Sequence, residues 1–314
     1  MKVLITGATG LVGQAIVKVL HQKGIPVNYL TTSKDKIDSS EDFQGFYWNP
    51  GKGEIDLECF RDVQAIINLA GASIAKRWTP QHKKRVLSSR INSLQTLKKG
   101  LEQSENTEVE CLVSASAIGI YPDSVCDYYD EQTEKVDDGF LGHVVTKWEA
   151  EAGTFQSLGL DVAKIRIGLV LSSDGGALPK MAVPVKNFIG APVGSGDQWQ
   201  SWVHLEDLAQ IFVFAVENNL AGVYNAVAPN PVTNTKLTKE LARVLDRPLW
   251  LPNVPAFLLK AILGEMSTLL LASQRVSSKK IEDEGFTFQY TNICQALKDI
   301  YISQEEGIPA SIEA

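Results

Sequence analysis

A chain of 314 residues with 44% hydrophobic content suits one large domain or two modest ones and supplies ample core. A formal net charge of −7, with no basic block, argues against nucleic acid as a partner, because phosphate-backbone binding needs clustered Lys and Arg. Cys59, Cys111, Cys126 and Cys294 form no Cys-x-x-Cys pair, so free thiols in a reducing compartment are expected; His21, His82, His143 and His204 lack metal-ligand spacing, and no metal is expected.

Val3, Leu4 and Ile5 form a short apolar run of strand type, followed at once by Thr6-Gly7-Ala8-Thr9-Gly10-Leu11-Val12-Gly13. Leu11, Val12, Ala15, Ile16, Val19 and Leu20 then repeat with helical period. Strand, glycine turn and helix are the context of a dinucleotide fingerprint, here spaced Gly-x-x-Gly-x-x-Gly. Gly7 allows a tight turn, Gly10 lets a pyrophosphate approach the backbone, and Gly13 lets the helix pack on the sheet. The helix N-terminus then offers free N–H groups and a favourable dipole to the phosphates. Met1 leads directly into this strand, so no signal peptide is expected and a cytoplasmic protein is.

Gly24 stops the first helix, and residues 27–30 form the second strand. Its end carries Thr31, Thr32, Ser33 and Lys34 where many NAD sites place an acid on the adenosine ribose. Three hydroxyls and an amine welcome a 2′-phosphate that a carboxylate would repel, which favours NADP(H) over NAD(H). Residues 46–48 suit a third strand, and 63–71 a strand buried on both faces that ends, after Leu69, in the small residues Ala70 and Gly71, at the edge where open parallel sheets bind ligands. Thr79 and Pro80 start a long helix to about Leu101, and Arg90 within it is placed to reach a phosphate.

Residues 111–116 read as another buried strand leading to Tyr121, residues 142–158 as a helix carrying His143 and Lys147, and 162–171 as a further strand. This βα alternation predicts a Rossmann-type, doubly wound parallel sheet. Beyond Ser172 the chain is richer in loops, with helices at 206–217 and 233–245 and short strands at 224–227 and 286–290. The apolar stretch 254–272 contains Lys260 and Glu265 and reads as buried helices, not a membrane span. The expected organisation is a nucleotide-binding domain over 1–230, a smaller C-terminal α+β substrate-side region over 231–303, and a frayed tail over 304–314.

Together these segments resemble an atypical extended short-chain dehydrogenase/reductase, more narrowly the "epimerase family" subgroup with a C-terminal domain of unknown function. The likeness runs through residues 5–13, Ile67-Asn68-Leu69-Ala70-Gly71-Ala72, Arg77-Trp78-Thr79, Ser89-Arg90, Ser114-Ala115-Ser116-Ala117, Lys147-Trp148-Glu149, residues 166–171, Gly175-Gly176-Ala177, Ser201-Trp202-Val203-His204, Leu263-Gly264-Glu265-Met266 and Ser273-Gln274-Arg275-Val276. It implies a Rossmann core, bound NADP(H) and a small polar substrate of sugar-nucleotide-like type.

The resemblance also implies a Ser-Tyr-Lys site, and there the chain departs from the pattern. The Ser/Thr slot holds Ala117, with Ser116 adjacent, and the Tyr of Tyr-x-x-x-Lys is His143, four residues before Lys147. Lys147 retains the role of binding ribose hydroxyls and lowering the pKa of a nearby acid. Tyr121, Ser116 and His143 are the candidate proton-handling groups beside it. The alternative is a catalytically silent NADP(H)-binding sensor. A monomer or homodimer without nucleic-acid or membrane partners is expected.

Overall fold

The computed structural model describes residues 1–104 and 108–303; the expected tail at 304–314 lies outside them. Seven strands carry the main sheet: β1 (Val3–Thr6), β2 (Val27–Thr31), β3 (Phe43–Asn49), β4 (Ala65–Asn68), β5 (Cys111–Ala117), β6 (Asp161–Ile167) and β7 (Gly222–Ala226). Their order is β7-β6-β5-β4-β1-β2-β3, with two-residue strands at Ser39–Ser40 and Glu54–Ile55 extending the β3 edge. The pairs β1–β2, β2–β3, β1–β4 and β4–β5 are parallel. Strand order reverses beside β1, so β1 and β4 flank a topological switch point, the place where open α/β sheets take ligands.

The reason for this sheet is visible in its sequence. β1 and β4 bury every residue, as the continuous apolar runs of a sheet covered on both faces require. Helices α1 (Leu11–Gln22), α2 (Pro80–Gln103) and α3 (Phe140–Gly153) supply crossovers. Thr79 caps α2 by accepting from the His82 N–H at 3.2 Å, with Pro80 at the first helical position.

Contacts divide the chain into two compact units that interleave in sequence. The first comprises Met1–Ile120, Asp137–Arg166 and Ala209–Tyr224, the second Tyr121–Val136, Ile167–Leu208 and Asn225–Ala314. A single cut at residue 230 therefore does not follow the packing, because the second unit draws on two segments that precede it. In that unit Leu171, Leu178, Trp202, Leu237, Leu241, Tyr290, Ile293 and Leu297 belong to one buried cluster.

Three local expectations are corrected. The strand expected over 162–171 breaks into β6 and Leu169–Leu171, because Gly168 lies where a Cβ would come within 2.3 Å of the Ser201 carbonyl oxygen. Residues 286–290 pair with no strand; the Gln289 and Tyr290 N–H groups donate instead to the Asp207 carboxylate, at 2.9 and 3.0 Å. The stretch 254–272 is helical in parts, but the helix Ala256–Leu263 buries none of its residues, with Phe257 73% and Ile262 64% exposed. No helix among the described residues is long and apolar enough to cross a membrane.

The second unit also holds a titratable group at depth. His204 is buried, its Nδ1 accepts from the Glu206 N–H at 3.2 Å, and its ring lies 3.8 Å from that of Tyr290. Asp299 Oδ2 stands 3.5 Å from Nε2, yet burial prevails and lowers the imidazole pKa to about 4. An unfolded histidine takes its proton near pH ~6.5, so between that pH and 4 the unfolded chain binds the extra proton. The contribution of neutral His204 is thus complete above pH ~6.5 and is lost as pH falls toward 4, amounting at most to about 3 kcal/mol. Calorimetric melting from pH 7 to 4 should show a steeper loss in wild type than in His204→Gln; parallel curves would exclude this titration.

Candidate functional site

The site is built on the end of β1. Thr6, fully buried, donates its hydroxyl proton to Asn68 Oδ1 at 2.8 Å, and the same oxygen accepts from the Leu69 and Ala70 N–H groups at 3.0 and 3.1 Å. Asn68 Nδ2 donates in turn to Ser114 Oγ at 3.2 Å, carrying the network onto β5. One short side chain thereby fixes where the glycine turn and the Leu69–Ala70–Gly71 loop leave the sheet on either side of the switch point.

Gly7 and Gly13 take the conformational roles read from their spacing. Gly7 sits at φ +76°, in the left-handed region where a side chain is strained. A Cβ on Gly13 would stand 2.2 Å from the Gly7 carbonyl oxygen, so only glycine lets α1 begin against the turn. A Cβ on Gly10 would meet only that same oxygen, at 3.3 Å, and the face above it is open. Gly10 is the N-cap residue of α1, no side chain caps the helix, and its first turn holds no acid. The first-turn N–H groups and the dipole of α1 are left for an anion. Thr9, exposed, and Leu11 and Val12, half-buried, frame this opening.

Arg90 closes the same corner. Its guanidinium lies against Gly71, where a Cβ would be 3.1 Å from Cζ, and on the other side stacks 4.7 Å from the centre of the Trp148 ring. Nη1 donates to the Ala72 and Val86 carbonyls at 3.2 and 2.9 Å. Arg90 Nε and the indole Nε1 of Trp148 are both buried and both lack a hydrogen-bond partner among the described residues. Burial lowers the Arg90 pKa to about 10, still far above neutrality, so the Nε–H of a cation and an indole N–H stand without an acceptor among the described residues. Buried donors are almost always satisfied by protein, water or ligand, and this pair fits an anionic or carbonyl acceptor.

At the tip of β2 the hydroxyls divide. Thr31 is buried and spends its Oγ1 on Ser33, accepting from the Ser33 N–H at 3.2 Å. Thr32 is exposed, Ser33 half-buried, and Lys34 holds its ammonium 5.2 Å from the centre of the Tyr47 ring. Asp35, the nearest acid in sequence, is flanked by Lys34 and Lys36. The electropositive character read from the sequence thus rests on Thr32, Ser33 and Lys34.

The four groups expected to do chemistry differ in exposure and in partners. His143 and Lys147 lie one helical turn apart on α3, both exposed. Ser116 is 2% exposed and donates its hydroxyl proton to Glu149 Oε1 at 2.6 Å. Glu149 also receives Arg166 in a fork, Nε to Oε1 at 2.8 Å and Nη2 to Oε2 at 2.9 Å. Tyr121, 1% exposed and in the second unit, donates its hydroxyl proton to Asn225 Oδ1 at 2.8 Å and stacks on Tyr129. Asn225 is fixed by its own N–H to Glu131 and by Nδ2 to the Ser277 carbonyl. Both hydroxyls are therefore held in buried networks. Sequence reasoning missed Thr6, Glu149 and Arg166; the only hint of the last two was charge at inward-facing positions of a helix and a strand.

Residues 3–227 match the family described as "NAD dependent epimerase/dehydratase family". The chain belongs to that family. Residues 254–300 match DUF1731, a domain of unknown function. An epimerase family protein of Staphylococcus haemolyticus is 40% identical over 300 residues, which cover 95% of this chain and 98% of the relative; one from Staphylococcus aureus is 38% identical over the same length and shares. Among solved structures, human epimerase family protein SDR39U1 with NADPH superposes with a TM-score of 0.82 at 29% identity, covering 96% of this chain and 99% of that one. A Thermus thermophilus UDP-glucose 4-epimerase complex with NAD, at 18% identity and a TM-score of 0.75, covering 98% and 99%, shares the fold. The family is NAD(P)-dependent; the human relative's structure contains NADPH and the Thermus thermophilus structure contains NAD.

Proposed function

We propose that this protein is an NADP(H)-binding oxidoreductase or epimerase-like enzyme acting on a small polar, sugar-like substrate. The observations that carry the reading are the uncapped start of α1 and, at the loop that follows β4, two buried donors, Arg90 Nε and Trp148 Nε1, that have no acceptor among the described residues. NADPH in the human relative supports the same cofactor here. Gly7, Thr9, Gly10, Leu11, Val12 and Gly13 would hold the pyrophosphate, with Leu69, Ala70, Gly71 and Arg90 along its flank. Thr31, through the turn it stabilises, would present Thr32, Ser33 and Lys34 to the 2′-phosphate. When bound, the nicotinamide supplies hydride exchange with a substrate carbon.

The chain's own groups handle the rest. Lys147 binds ribose hydroxyls and keeps a positive charge beside the proton donor. His143, exposed and one turn away, moves the proton, because the Ser116 and Tyr121 hydroxyls are already given to Glu149 and Asn225. Glu149 and Arg166 position α3 against β6 and thereby set the height of Lys147. The commitment of those two hydroxyls also favours a second reading, a silent NADP(H) binder that reports cofactor level to a protein partner.

Turnover decides between them. Across a panel of carbonyl compounds and nucleotide sugars, NADPH consumption by wild type should fall about a hundredfold in Lys147→Ala, as expected for a group acting in general acid catalysis. Equal rates would remove Lys147 from the mechanism, and no turnover by wild type, with a partner captured only in the presence of NADPH, would favour the sensor. Cofactor choice has its own check. Thr32→Asp should weaken NADPH about tenfold or more while leaving NADH within about twofold, since the new anion faces the 2′-phosphate; unchanged affinities for both would overturn the assignment of the β2 tip.

A further inference from the structure

Between Asp62 and Glu102 the sequence contains no acid. Residues 63–101 carry eight basic residues, Lys76, Arg77, Lys83, Lys84, Arg85, Arg90, Lys98 and Lys99, which leaves 22 of the chain's 30 Lys and Arg to stand among all 37 Asp and Glu. No two neighbours make a long basic block, so the asymmetry is easily overlooked in a chain of net charge −7. The fold concentrates it. Five of the eight lie in the loop that follows β4 and the first two turns of α2, at the carboxyl edge of the sheet and beside the switch point.

This loop is built rather than loose. The Ala72 N–H donates to Ser89 Oγ at 2.8 Å, Trp78 Nε1 donates to the Ile74 carbonyl at 2.9 Å, and His82 Nε2 meets the Ser73 carbonyl at 2.9 Å. Trp78 packs edge-on to Phe140, ring centres 4.9 Å apart. The Lys83 ammonium lies over both rings, 5.9 Å from Trp78 and 5.1 Å from Phe140. Lys76, Arg77, Lys84 and Arg85 are exposed and none forms an ion pair with a described residue. The first turn of α2 carries no acid, and its dipole adds to the field of these side chains. Several like charges held at one edge of a sheet raise the local concentration of small anions.

We infer that this edge is a subsite for the anionic group of the substrate, a phosphate or carboxylate held by Arg77 and Lys83, with Trp78 and Phe140 forming the apolar wall against which the adjoining ring or chain lies. The assignment rests on reading this sheet edge as the substrate site of the cofactor-dependent reaction, and it narrows the substrate from polar to anionic. It is independent of the phosphates of the cofactor, which are assigned to the α1 start and the β2 tip.

The probes are phenyl phosphate, benzoate and neutral benzyl alcohol, titrated calorimetrically into the full chain with and without saturating NADP⁺. Phenyl phosphate or benzoate should bind wild type at a single site, and benzyl alcohol should give no heat at the same concentrations. The double variant Arg77→Gln, Lys83→Gln should bind the anion at least about tenfold more weakly while keeping its NADP⁺ affinity and far-UV spectrum, as the loss of two close charge contacts implies. The control Lys18→Gln, Lys99→Gln removes two exposed charges of the same unit away from the loop and should stay within about twofold of wild type, because distant exposed charges are screened. Absence of anion binding by wild type, or equal weakening in the two double variants, overturns the inference. Failure of NADP⁺ to bind would overturn the cofactor reading alone, since the anion titration without cofactor still decides the subsite.

Discussion

The arrangement depends on the side chain of Thr6. A parallel sheet leaves the carboxyl ends of its central strands as bare backbone, and at the switch point two loops must part from adjacent strands without leaving buried N–H groups unpaired. The Thr6 hydroxyl answers this by accepting from the N–H groups of Leu69 and Ala70 while donating to Asn68. The glycine turn and the β4 loop are thereby held at a fixed separation, and Arg90 seats against Gly71 at the margin of the opening. Valine, which matches threonine in shape, would keep the packing but strand the Ala70 N–H and leave the Leu69 N–H only the carbonyl of residue 6.

Much of this was legible in the sequence because the controlling interactions are local. Gly7, Gly10 and Gly13 act on one another over six residues, and the turn read for Gly7 and the helix packing read for Gly13 correspond to a φ and a close approach in the fold. β1, β4 and β5 announce themselves as apolar runs, and Thr79-Pro80 announces the start of α2. What was not legible depends on partners far apart in the chain. Glu149 meets Ser116 and Arg166 across separations of 33 and 17 residues, and no local pattern specifies that a strand serine will point at a helix carboxylate. Residues 286–290 alternate like a strand, but their N–H groups are claimed by Asp207, 82 and 83 residues earlier. The apolar run at 254–272 shows the reverse limit, since hydrophobicity suggests burial without saying which residues find cover.

The departure from a Ser-Tyr-Lys pattern has a physical counterpart in the packing. A reactive hydroxyl needs an open face and a changeable hydrogen bond, whereas Ser116 and Tyr121 each donate into a buried network closed by further bonds. The exposed face of α3 keeps a different pair, His143 and Lys147, at the spacing that puts two side chains side by side. An imidazole can exchange a proton near neutral pH without a strongly perturbed environment, which a phenol requires. The buried Glu149–Arg166 pair ties that helix to β6.

The central claim is that a pyridine dinucleotide rests its phosphates on the uncapped start of α1 beside Arg90. Titration calorimetry of the full chain with NADPH tests it most directly. One saturable site per chain, with NADPH preferred to NADH and the affinity reduced in Arg90→Met, is the result predicted. Absence of heat with NADPH, NADP⁺, NADH and NAD⁺ alike would contradict it, leaving a protein that shares the family's fold without its cofactor.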